Sequence, residues 1–173
     1  VVALAACLSA RAEAAPFTFT FALDPADGAV TGAPGETVGW GFTIENLDED
    51  NWLEVIGLDA DPFADGVPDS FFTFPIVEPL GTSQAPFVAD TSGLYQFTID
   101  AGAPLGVIEP GTFTIFVQWW DGDPFSPNSL PLGPDDAMFE ASAPYSVTAE
   151  AAVPEPSLLL LVGAGLGAAA LRR

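Results

Sequence analysis

The stretch TVGWGFTIE, residues 37–45, puts Val38, Trp40, Phe42 and Ile44 at every second position, with Thr37, Gly39, Gly41, Thr43 and Glu45 between them. Residues two apart share one face of an extended strand, whereas a helix brings together residues three and four apart. One face is therefore large and apolar, the other small or polar. That is a half-buried β-strand.

The same alternation recurs outward in both directions. Phe17, Phe19, Phe21 and Leu23 alternate with Thr18, Thr20 and Ala22. Tyr95, Phe97 and Ile99 alternate with Gln96, Thr98 and Asp100. Phe113, Ile115, Val117 and Trp119 alternate with Thr114, Phe116, Gln118 and Trp120, and Tyr145 and Val147 repeat the pattern. Weaker strands are expected at 52–58, 71–74 and 84–88. Turn signals separate them: DPADG at 24–28, GAPGE at 32–36, DGVPD at 65–69 and DGDP at 121–124. No stretch of the body keeps a 3.6-residue period. Seven to nine short strands predict an all-β, antiparallel two-sheet sandwich.

Charge narrows the chemistry. The chain has 24 acids and 3 bases, for a net charge of −21. The bases are Arg11, Arg172 and Arg173, all near the ends. Between Ala15 and Val153 there are 22 Asp/Glu and no Lys, Arg or His, and the one cysteine is Cys7. Nucleic-acid binding needs a basic surface to release counterions, and this body has none. Ser-His-Asp and Cys-His catalysis lack their base. No disulfide can form within the body. Carboxylate chemistry, oxygen-ligated metals and pure binding remain.

The two ends read as addresses. Residues 1–14 form a signal peptide whose basic n-region is missing from this chain. Its apolar run, Val1 to Ala10, is followed by Ala12 and Ala14 in the small-x-small pattern of a signal peptidase site. At the other end, Leu158 to Leu171 is an uncharged run. As a helix it reaches about 21 Å, short of a hydrocarbon core of about 30 Å. Arg172 and Arg173 after it would stay cytoplasmic by the positive-inside rule.

The order Pro154-Glu155-Pro156, apolar Leu/Gly/Ala helix, Arg172-Arg173 resembles the PEP-CTERM sorting signal. The resemblance covers residues 153–173. It implies a membrane-embedded exosortase that recognises the Pro-Glu-Pro and cuts near it, as other tails of this design are discarded. It also implies a surface or extracellular-matrix destination in a Gram-negative-type bacterium, and a link to exopolysaccharide. Pro154 and Pro156 fit a recognition segment because neither can join a helix interior or a strand ladder. The stretch GAPGETVGWGFTIENLDEDNWLEVIGL, 32–58, in turn resembles the first strands of immunoglobulin-like bacterial surface domains.

Within the body, residues 15–152, two candidate sites stand out. The loop DADPFADGVPDS, 59–70, places Asp59, Asp61, Asp65 and Asp69 close together in sequence. Ca²⁺ takes 6–8 oxygens, and carboxylates at such spacing can supply them. An EF-hand register from Asp59 fails, however, because Phe63 and Ala64 fall where an oxygen ligand and a glycine are needed. The second is Trp120 with Asp121 and Asp123: an exposed indole beside carboxylates can hold a sugar. Two carboxylates also suffice for a glycoside hydrolase, but nothing singles out a pair among 22 acids.

The sequence thus predicts an immunoglobulin-like β-sandwich with one C-terminal hydrophobic helix. It is exported across the inner membrane, held there transiently by that helix, and needs no cofactor. The function expected is a non-catalytic surface or matrix protein, with a Ca²⁺- or carbohydrate-binding module as the alternative and a carboxylate hydrolase as the least favoured one.

Overall fold

A computed structural model describes residues 17–133 and 139–152. The strands are β1 (Phe19–Asp24), β2 (Ala29–Gly32), β3 (Thr37–Asn46), β4 (Trp52–Ala60), β5 (Gly66–Ser70), β6 (Ile76–Val77), β7 (Thr82–Ala85), β8 (Tyr95–Ile99), β9 (Gly106–Trp120), β10 (Pro131–Leu132) and β11 (Phe139–Ala149). No helix occurs among the described residues.

The opening stretch sits at the centre. β3 pairs with β1 along one edge, and with β8 and then β7 along the other. With β5 beyond β8, the first sheet runs β1-β3-β8-β5. The second runs β2-β11-β9-β4-β6, with β10 alongside β9. Strands 1, 3, 8 and 5 facing strands 4, 9 and 11 reproduce the two-sheet division of an immunoglobulin sandwich.

The alternating large residues meet between the sheets. Trp40, Ile44, Leu53, Phe97, Phe113, Ile115, Val117, Trp119 and Val147 are fully buried. Each such side chain contributes roughly 1.5–3 kcal/mol relative to exposure. Trp40 makes a further anchor. Its indole donates to the Gly28 carbonyl at 2.8 Å, where the chain crosses from β1 in one sheet to β2 in the other.

Several expectations need correcting. Among the described residues there are 11 strands rather than seven to nine, because β2, β6 and β10 are too short to show a period. The sandwich is not wholly antiparallel: β2 runs parallel to β11. DGVPD is not a turn. Gly66–Ser70 is an edge strand paired with β8, and an edge tolerates Pro68 because its missing N–H costs no ladder bond. Residues 71–74 form no strand, and the expected 84–88 strand lies at 82–85. β3 is also buried on both faces over residues 38–42. Phe87 lies over Gly39, where a Cβ would collide with its ring. The small alternate positions of the opening stretch therefore serve close packing rather than solvent. The expected C-terminal helix lies outside the described residues.

Candidate functional site

The acidic loop is built around a phenylalanine. Between β4 and β5, Phe63 turns inward and stacks on Phe97 and Tyr145, each with ring centroids 5.1 Å away. Burying that ring forces the backbone on either side to find partners. Asp61 extends the β4–β9 ladder, its N–H donating to the Thr112 carbonyl at 3.1 Å and its Oδ2 accepting from the Thr112 N–H at 2.9 Å. The N–H groups of Ala64 and Asp65 both donate to Oε1 of Glu109, at 2.5 and 2.6 Å. Glu109 is only 4% exposed. Tyr145 closes the cage by donating to the Asp61 carbonyl at 3.1 Å.

The four expected ligands are not brought together. Asp59 accepts from the N–H of Ala60, Asp61 is spent on Thr112, Asp65 belongs to the Glu109 cage, and Asp69 lies on β5 opposite Gln96. Among the described residues, no group of three or more Asp/Glu is placed to hold a metal ion. The nearby carboxylates act instead on two tyrosines. Burial, then Asp59 and Asp69, push the Tyr95 phenol above its ordinary 10.0. Burial, then Glu109, Asp61 and Tyr95, push Tyr145 well above the same value. A phenolate there would be both desolvated and surrounded by negative charge.

The paired tryptophans split as adjacent strand residues must. Trp119 is fully buried against Phe17 and Phe19, while Trp120 is half-buried on the outer face of the second sheet. The expected partners of Trp120 are engaged elsewhere. Asp121 Oδ1 accepts from the Leu130 N–H at 2.6 Å, and Asp123 Oδ1 accepts from the Phe125 N–H at 3.0 Å, so both close their own loop. The indole of Trp120 instead donates to Oε2 of Glu54 at 2.9 Å.

Sequence reasoning missed what lies beside it. Leu53 and Val55 point into the core, so Trp52, Glu54 and Ile56 share the outer face. Trp52 stands directly opposite Trp120, and Pro131 opposes Trp120 from the other side. Beyond Trp52, a cleft of about 200 Å³ is lined by Trp52, Ile76, Val77, Glu78 and Thr82. The alternation over 52–56 was the available signal. It shows a strand but not which strand lies next to it. On the outer face of the first sheet, a shallow groove of about 520 Å³ runs past Thr20, Asp24, Thr43, Glu45 and Gln84. The processing residues Ala12, Ala14, Pro154, Glu155, Pro156, Arg172 and Arg173 lie outside the described residues.

No known family model matches the chain, and no curated protein matches it. Among solved structures, it is similar to the ASH/PapD-like domain 7 of human CEP192, with 12% identity, a TM-score of 0.41, and 88% of this chain and 100% of that one covered. It is also similar to WR4, an MSP family member of C. elegans, with 10% identity, a TM-score of 0.36, and 75% and 97% coverage.

Proposed function

We propose that this is an exported, non-catalytic β-sandwich protein of the bacterial surface or extracellular matrix, delivered by a C-terminal sorting signal of the PEP-CTERM kind and associated there with exopolysaccharide. The observation that carries the reading is the segregation of charge. Every cation lies within 11 residues of an end or in the last two positions, and the 22 acids between Ala15 and Val153 have no positive side chain among them. The sandwich supports it too. β11 ends at Ala149, and the Glu150 N–H donates to the Gly32 carbonyl at 2.9 Å, so the domain is complete three residues before Val153. The non-catalytic part rests on the carboxylates being used as backbone acceptors, as in Asp48, Asp61, Asp121 and Asp123.

Mass spectrometry of the mature protein from its native host tests this. Loss of residues 157–173 is the expected result. An intact C-terminus in the exported protein overturns the sorting reading.

A further inference from the structure

One row of the second sheet brings two tryptophans together on its outer face. Pro131, Trp120 and Trp52 stand side by side across β10, β9 and β4 on the outer face. Glu78 continues the row, because Leu53 pairs with Val77 and the next position of each strand falls together. With strands about 4.8 Å apart, the row is about 14 Å long. Two indoles lie at its middle, with Glu54 beside Trp120 and the small Trp52–Glu78–Thr82 cleft at its end.

The cleft is held in place from behind. The buried Asn46 amide reaches the carbonyls of Val77 at 3.2 Å and Glu78 at 3.1 Å. The turn after Glu78 is closed by the Gly81 N–H on the Glu78 carbonyl at 2.9 Å. In that turn Leu80 sits at φ 54° with its side chain exposed. Glycine is the default in that left-handed region, so a leucine there is strained.

We propose that this row binds an amino-sugar oligosaccharide, with a protonated amino group seated between Trp52 and Glu78. The chemistry selects the ligand class. Indole faces stack on the C–H faces of pyranose rings and attract cations. The Trp120 N–H is already satisfied by Glu54, so its ring face is the available surface. Trp52 makes no hydrogen bond through its indole N–H to the described residues and can donate one. Glu54 and Glu78 can only accept, so the ligand must be rich in donors. An anionic sugar would be repelled by a body carrying 22 acids and no base, and an ammonium group would be drawn in. A cleft of about 200 Å³ is smaller than the roughly 300–1,000 Å³ of a drug-sized site, so it takes a single ring, with neighbouring sugars crossing Trp120. This inference concerns the sandwich alone and stands apart from the sorting reading.

The test is calorimetric titration of the full chain with a glucosamine trisaccharide in its free-amine and N-acetylated forms. Saturable one-to-one binding of the free amine is expected, about three- to fivefold tighter than the acetylated form, the scale of an exposed cation–indole contact. Trp52→Ala should weaken it about tenfold. Glu78→Gln, an exposed change that leaves the fold alone, should also weaken it. Glu45→Gln, which removes the same charge from the opposite sheet, should leave it unchanged. Equal losses from Glu78→Gln and Glu45→Gln would mean diffuse counter-ion binding and overturn the site. Equal affinity for the two trisaccharides, or binding to neither, would overturn the ligand class.

Discussion

Asn46 ends the central strand and is 1% exposed. Its Nδ2 faces three carbonyls, those of Asn51 at 2.8 Å, Val77 at 3.2 Å and Glu78 at 3.1 Å, while its Oδ1 accepts from the Asp48 N–H at 3.0 Å. One side chain therefore ties β3 to the loop before β4 and to the edge strand β6. Replacing it with alanine strands those groups. With about two to three net hydrogen bonds lost at about 1 kcal/mol each, and a buried Val77 carbonyl left without a partner, the cost is about 2–4 kcal/mol. That corresponds to a fall in Tm of about 10 °C for a domain of this size. Asn46→Asp is the sharper probe. It keeps the shape but, when ionised, turns a donor into an anion facing three carbonyl oxygens. It should be more damaging than alanine at pH 7. The variant's folded state favours the protonated acid, so its carboxyl is raised above the unfolded value of about 3.9. By linkage its stability is present below that value and lost as pH rises through the folded one. Urea melts of wild type and both variants, compared at pH 4 and pH 7, should show the Asp deficit shrinking at pH 4. An Asp variant as stable as wild type at pH 7 would refute the role assigned to the amide.

Glu109→Ala removes the acceptor of the Ala64 and Asp65 N–H groups and should cost about 2–3 kcal/mol. Limited proteolysis at 61–65 should rise with it, and an unchanged melt would count against the cage. Both tyrosine phenols are raised, so their neutral forms stabilise the fold fully below pH 10.0, and that contribution is lost as pH climbs above it. An alkaline titration followed by absorbance near 295 nm and circular dichroism should show phenolate formation and unfolding together. Phenols ionising in the intact fold near pH 10.0 would contradict this. With 22 acids and no base in the body, self-repulsion should destabilise it at low ionic strength. Added salt or millimolar Ca²⁺ or Mg²⁺ should raise the Tm, and a Tm indifferent to salt would argue against that repulsion.

The sandwich was legible in the sequence because a half-buried strand writes its environment into every second residue. Val38, Trp40, Phe42 and Ile44 needed no neighbour to show their common face, and the lack of cations excluded whole classes of chemistry before any fold was known. Strands of two to four residues were not legible, since they hold too few alternations to make a period, and Pro68 disguised an edge strand as a turn. The sites depended on pairing across strands. Glu109 reads as one more solvated acid until β9 brings it against the 61–65 loop. Trp120 lies next to Asp121 in the chain, but its indole bonds to Glu54, 66 residues away. Local sequence determines which residues face inward. Only the register between strands decides which of the outward ones stand together.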